Sequence, residues 1–597
     1  MIADKATHQR WTRQLIGLIT LNPGAGGDNL LVPVFLGCPR CPRGDGEYLT
    51  QNIASVTDKY VEGCQCVGFT GDGAYIKCKV SEKLELHYNT PLTSTWDQMH
   101  RGGTVDTAMR KLGKFNWLHK LTAVIGKAVK FVAWGKEFAH FFRVAQELED
   151  NPDFDFKLYM LVPFSETKFA NSAEVVYFKL REEYPALVIT LEEVKEDLHN
   201  GNSTERAKAD KAAEVQSGIM NYTFCLSLSA VVDIYRVYGS ISKILQIINL
   251  LPHERYQMFQ EQLGLFQRML DNIDYKTCSC KAVVEGEGVE DGDQMAEKCP
   301  WPTLHQDINE VLLKGKYRGC VLGQLVEDSA CTRDGRRQEK IWLEESREST
   351  VAVVLKRAQE VAKHISEELR EKVYDQAALT MLNHSRRLLN VKSDLEKIKA
   401  NSAAEVSNLG WKGFKAAAEF FDPDIISRVT EGELRQQYRE YNRKLEQLTH
   451  MDSNLNLGNK EIIALFFDPA GKKYVDIEAV LSVLARACVS QGVEAVVESW
   501  VSVLENHASS VRCCVKYNLH VVNVINRGIQ DQQRLENELW VAINGPEVVQ
   551  CESIVREALK KDGSNFIRRS ENIKSWQHGS KAVTTLVSKA PKIPFMV

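Results

Sequence analysis

The sequence lacks four things: a large charge of one sign, a long uninterrupted apolar run, a leader-like start and an internal repeat. Over 597 residues the net charge is only −4. That excludes electrostatic wrapping of nucleic acid by the whole chain, though not by a local patch. Spanning a bilayer takes about 18 or more consecutive apolar residues. The best stretch, 225–251, is interrupted by Asp233, Arg236 and Lys243. Met1-Ile2-Ala3-Asp4 has no basic region followed by an apolar one, so no secretion signal is expected. The expectation is a soluble, intracellular protein with no membrane partner.

Cysteine is not scarce, at fifteen, but an intracellular chain of this length does not imply a disulfide framework. Cys38-Pro-Arg-Cys41 has metal-ligand spacing. No clear second pair completes a tetrahedral zinc site, so Cys38 and Cys41 are read as free thiols. The pairs Cys64/Cys66, Cys278/Cys280 and Cys513/Cys514 give still weaker zinc signals.

The length suggests three to five structural units. The first 80 residues read as α/β. Apolar runs at 14–20 and 30–36 flank Asn-Pro-Gly-Ala-Gly-Gly-Asp-Asn at 22–29, a turn-rich spacer that predicts a β-hairpin. Helical spacing at 51–61 and a short strand at 66–70 follow, the strand ending at Gly71-Asp72-Gly73. From about residue 110 the apolar spacing predicts helices over 118–144, 173–184, 217–250, 351–400, 462–489 and 493–506. The acidic, glycine-rich stretch 284–297 reads as a loop among them. Two basic regions are candidate phosphate contacts. One is 110–136, with Arg110, Lys111, Lys114, Lys120, Lys127, Lys130 and Lys136. The other is 561–597, with seven basic residues against two acids.

The early acids carry the chemistry. Asp4 falls near the end of a first strand, and Asp72 at the end of the strand after the intervening helix. In a β-β-β-α-β arrangement the first and fourth strands are neighbours, so both carboxylates can face one point. Such a pair can bind divalent metal, and two metals about 4 Å apart can activate an attacking oxygen and stabilise a leaving one.

Several blocks then resemble hAT-type DNA transposases, the hobo and Activator class. Ala3-Asp4-Lys5-Ala6-Thr7 followed by Arg13-Gln14-Leu15 is similar to their opening block. Phe69-Thr70-Gly71-Asp72-Gly73-Ala74 resembles their Asp-Gly-Ala block. Trp96-Asp97-Gln98-Met99-His100-Arg101 resembles the motif in which Cys or Asp precedes His by three positions. Glu166-Thr167-Lys168-Phe169-Ala170-Asn171-Ser172 sits where the family has Thr-Arg-Trp. The segment 490–502, Asn544-Gly545-Pro546 and Lys592-Ile593-Pro594-Phe595-Met596 are similar to the C-terminal blocks. The motifs are individually unspecific; their order along nearly the whole chain carries the resemblance.

The resemblance implies a ribonuclease-H-like α/β core split by a large all-α insertion. Residues 1–165 would form the first part of the core and 166–455 the insertion. Residues 456–550 would return to the core with a dimerisation segment, and 551–597 would be a basic tail. It also implies a catalytic and metal-binding triad of Asp4, Asp72 and Glu498 using Mg²⁺ or Mn²⁺, with Glu494 as the alternative third acid. Asp97 and His100 would stand near the site. Lys168, Phe169, Arg568, Arg569 and Lys574 would contact DNA. A homodimer or higher homo-oligomer in the nucleus is expected.

Departures from the family leave two functions open. Ser499 stands in place of Arg, Lys168-Phe169 in place of Arg-Trp, and the start reads as cut within the first strand. A BED zinc finger would lie upstream. The first function is metal-dependent DNA cleavage and strand transfer, weakened here because so short a first strand would position Asp4 poorly. The second is a domesticated, non-catalytic nuclear protein that keeps the fold for dimerisation and for DNA, chromatin or protein interaction.

Overall fold

The computed structural model describes residues 1–8, 11–22, 30–60, 66–132, 138–148, 161, 170–278, 299–322, 333–392, 403–449, 457–467, 474–490, 497 and 500. It is mostly helical with one small mixed sheet, an α/β fold with a large all-α region. Two compact units divide the chain. The sheet unit comprises Met1–His100, Gln246–Tyr256 and the chain from Tyr374 onward; the helical unit comprises Arg101–Leu245 and Gln257–Val373. The sheet unit's first stretch ends at His100, it regains Gln246–Tyr256, and it resumes again from Tyr374, whereas the sequence reading placed the changes near 165 and 456.

In the sheet unit the elements run β1 (Ile2–His8), β2 (Trp11–Leu21), β3 (Leu31–Gly37), α1 (Gly46–Tyr60), β4 (Gly68–Gly71), α2 (Gly73–Lys77), α3 (Val80–Tyr88) and β5 (Thr93–Trp96). The sheet order is β3-β2-β1-β4-β5. The first three strands form an antiparallel meander, while β1, β4 and β5 run parallel. The hairpin expected across 14–36 is β2–β3.

β1 pairs with β2 through seven residues, Ile2 opposite Gly17 to His8 opposite Trp11. On its other side Ile2 and Ala3 pair with Thr70 and Gly71. Even Met1 joins: its amino group donates to the Gly68 carbonyl at 2.7 Å, and its own carbonyl accepts from Thr70 N–H at 2.9 Å. Asp4 pairs with Leu15 of β2, and the two residues before it pair with β4 as well, so the first strand is a seven-residue element and not the short one expected.

Both faces of this sheet are covered, which explains why β2 and β3 read as nearly continuous apolar runs. Ala3, Ile16, Leu18, Val34 and Leu36 pack in one cluster with Leu49, Ile53 and Val56 of α1. Ile19, Leu21 and Leu31 join a second cluster with later helices of the unit. Those are α14 (Gln376–Leu389), α15 (Ala403–Phe421), α16 (Glu431–Thr449), α17 (Asn459–Ala464) and α18 (Glu478–Val489). Residues 462–489, expected as one helix, divide into α17 and α18.

Between them in sequence come α4 (Gln98–Arg110), α5 (Asn116–Val132), α6 (Ala139–Leu148), α7 (Ala170–Glu182), α8 (Tyr184–His199), α9 (Ser203–Ile219), α10 (Tyr222–Gln246), α11 (Pro252–Asp271), α12 (Pro302–Lys314) and α13 (Arg333–Lys372). The helix expected over 217–250 breaks at Asn221, whose side-chain Oδ1 accepts from the Phe224 N–H at 2.8 Å and caps the start of α10. α10 is long and apolar enough to cross a membrane, but 89% of its apolar window is buried within the protein. It is the core helix of the helical unit. Its one central acid, Asp233, is fully buried and accepts from the N–H groups of Thr303 and Leu304, the exposed donors of the first turn of α12.

Candidate functional site

The strand register brings three acids into one row. Ala3 pairs with Gly71, and Gly71 with Trp96. The next residue on each chain is Asp4, Asp72 and Asp97 respectively. All three therefore stand at the same level of β1, β4 and β5, and Asp72 and Asp97 directly follow the C-terminal ends of their strands. In open α/β sheets that edge is where ligands bind.

Asp4 senses the other two carboxylates. Burial is the main cause that raises Asp4 from 3.8 to about 6, opposed by a hydrogen bond from the Lys5 N–H. Asp72 and Asp97 raise it further through space, and His100 lowers it. Crowded, partly desolvated carboxylates of this kind are oxygen ligands suited to a hard divalent cation.

Two of the acids also hold backbone. Asp72 is the N-cap of α2: its Oδ1 accepts from Ala74 N–H at 2.8 Å and Tyr75 N–H at 3.2 Å. Both bonds fall on one oxygen. Asp97, fully buried, accepts from the His100 N–H through Oδ2 at 2.7 Å and so anchors the start of α4. Its own N–H donates to the Gly71 carbonyl. This is the physical content of an Asp preceding His by three positions: the spacing is that of a helix cap.

Arg255 was not foreseen from the sequence. It is fully buried, donates to the carbonyls of Ile247 and Leu250, and feels the Asp97 charge. A lone Arg inside Leu-Pro-His-Glu-Arg-Tyr gives no signal of burial.

Glu498 and Glu494 lie outside the described residues. Trp500, two positions after Glu498, is buried and meets Phe35 edge-on, with ring centroids 5.4 Å apart. Its indole also lies on Gly17, where an added Cβ would come within 2.3 Å of it. Strand pairing puts Asp4 opposite Leu15, and Leu15 and Gly17 share a face because side chains alternate. Trp500 thus covers the face of the sheet to which Asp4 belongs. Lys168, Phe169, Arg568, Arg569 and Lys574 also lie outside the described residues.

The basic region 110–136 divides in two. Arg110 is not available to phosphate: it donates to Asp106, Thr122, Tyr177 and Tyr235 in a network inside the helical unit. Lys114 and Lys120 are exposed. They line a cleft of ≈ 670 Å³ with Trp117, Lys356, Arg357 and Glu360. The Arg357 guanidinium lies 5.7 Å from the centroid of the Trp117 ring.

No family model and no curated protein matches this chain.

Proposed function

We propose that the chain is a hAT-type, transposase-derived protein whose sheet unit is a ribonuclease-H-like core. Its activity would be metal-dependent cleavage and strand transfer of DNA. The observation that carries this reading is the row of Asp4, Asp72 and Asp97 on three adjacent parallel strands of a β3-β2-β1-β4-β5 sheet.

The residues fit the group that this chemistry needs. Asp4 and Asp72 are the ligands, because Asp4 is crowded by like charge and the Asp72 cap occupies only one oxygen. When bound there, one or two Mg²⁺ or Mn²⁺ ions would activate water or a 3′-hydroxyl and stabilise the leaving oxygen of a phosphodiester. Asp97 acts through α4, whose first turn it holds with His100 beside Asp4. Glu498 is the proposed third acid, supported by the position of its sequence neighbour Trp500 over the Asp4 face. The cleft with Lys114, Lys120, Lys356 and Arg357 is a further candidate for DNA phosphate. Lys168, Phe169, Arg568, Arg569 and Lys574 as DNA contacts, homo-oligomer formation and a nuclear location belong to the same proposal.

A second reading has its own support. Asp72 and Asp97 each cap a helix, and that work needs no metal. A non-catalytic descendant would keep both residues for the fold alone.

Asp72→Asn separates the two, because Asn caps a helix about as well as Asp but carries no charge. If the chain is an enzyme, it nicks supercoiled plasmid with Mn²⁺, and Asp72→Asn lowers the rate far beyond the roughly 10- to 100-fold typical of outer-shell metal partners. The variant should keep the wild-type melting temperature, whereas Asp72→Ala should lose about 1 kcal/mol with the cap. A folded wild-type protein without Mn²⁺-dependent nicking, or cleavage indifferent to Asp72→Asn, rejects the catalytic reading.

A further inference from the structure

We propose that Cys278, Cys299 and His305 supply three ligands of a zinc site in the helical unit, with the fourth position open to water or another donor. All three side chains are buried. Their ligand atoms lie within 4.8 Å of one another. The two Sγ atoms are 3.5 Å apart and Cys299 Sγ is 3.6 Å from His305 Nδ1. Two thiolates on one tetrahedral zinc stand about 3.8 Å apart, and a thiolate and an imidazole nitrogen about 3.6 Å, from bond lengths of about 2.3 and 2.0–2.1 Å. Two of the three separations thus match edges of a zinc tetrahedron, and the third lies within 4.8 Å.

The histidine is oriented for the task. Its Nε2 faces the Ile273 carbonyl at 3.3 Å, a contact that requires the proton on Nε2. Nδ1 then presents its lone pair to the cysteines. A metal-bound imidazole characteristically donates its other N–H to a backbone carbonyl in this way. Around the cluster the chain is fixed by the Trp301 indole, which donates to the Met269 carbonyl at 2.7 Å, and by Asp233 at the start of α12. Two thiols and an imidazole are soft and borderline donors that select zinc, not the hard cations suited to Asp4 and Asp72.

The placement also says what the site does. Cys278 and Cys299 flank the twenty residues 279–298, which hold the acidic, glycine-rich stretch. A zinc ion held by Cys278, which follows α11, and by Cys299 and His305 at the start of α12 would tie those two helices together. The sequence concealed this because the ligands are spread over 278–305 and do not form paired Cys-x-x-Cys units.

The test is the zinc content of the full-length protein after loading with Zn²⁺ and removal of excess. Wild type should hold about one zinc per chain. The same amount should remain in a Cys38→Ser, Cys41→Ser double variant, and Cys299→Ser and His305→Ala should lose it. Because those two variants could lose metal by misfolding, His305→Cys, which substitutes one zinc ligand for another, should restore binding. The wild-type protein loaded with Co²⁺ instead should show a thiolate-to-cobalt charge-transfer band. A wild-type chain that takes up no zinc overturns the proposal. So does a Cys299→Ser variant with undiminished zinc, or a Cys278–Cys299 disulfide in protein isolated without reductant.

Discussion

Asp4 is the residue whose surroundings make the sharpest prediction. Burial and the neighbouring Asp72 and Asp97 raise it from 3.8 to about 6 in the fold. An acid with a raised folded pKa binds its proton more tightly in the native state. Its contribution is therefore fully present below pH 3.8 and is lost as pH rises through 6. Asp4→Asn should stabilise the protein at pH 7.5, on the order of 1 kcal/mol after allowance for partial exposure. The gain should vanish by pH 4, as read from urea midpoints at the two values. A destabilised Asp4→Asn at pH 7.5 would show that the carboxylate is not under repulsion. At this scale the strand-end position of Asp72 was legible in the sequence, while Asp4, expected near a strand end, lies inside β1. That Asp97 shares their row was not legible, since it depends on strand register. Arg255 was hidden for a different reason: nothing local marks a buried Arg whose partners are backbone carbonyls.

The elements show where periodicity is informative and where it is silent. β2 and β3 were visible as apolar runs bounded by a turn-rich spacer. β1 was underestimated because the resemblance put the start of the sequence at the end of that strand, whereas β1 runs over Ile2–His8. Its order comes from pairing with β2 and β4 and from the burial of Ile2 and Ala3. The long helical runs were recognisable, but their interruptions depend on single caps such as Asn221 that apolar spacing does not detect. Gly17 is a case where an element needs its glycine: the Trp500 indole and the Val34 carbonyl leave no room for a Cβ. Gly17→Ala should displace Trp500 from the sheet and cost about 1–3 kcal/mol, the range for overpacking a core. A lower denaturation midpoint together with altered tryptophan fluorescence would confirm it. An unchanged midpoint would mean that Trp500 does not pack on β2.

For the whole molecule, the division into a sheet-bearing unit and a helical unit was legible from the change of period, but its boundaries were not. Helical spacing beginning near residue 110 does not reveal that α4 already leaves the sheet unit at His100. Nor does it reveal that the chain returns to that unit at Gln246–Tyr256 and again from Tyr374, because helices lie on both sides of each boundary. In the proposed function Asp4 and Asp72 of the sheet unit would make a divalent-cation site on neighbouring parallel strands. Titration of Mn²⁺ by electron paramagnetic resonance at pH 7.5 tests it most directly. The wild-type protein should bind Mn²⁺, and Asp4→Asn and Asp72→Asn, each retaining its fold, should each weaken the tightest site by at least about tenfold, or about 1.4 kcal/mol. Identical Mn²⁺ affinity in the wild type and both variants would contradict the account.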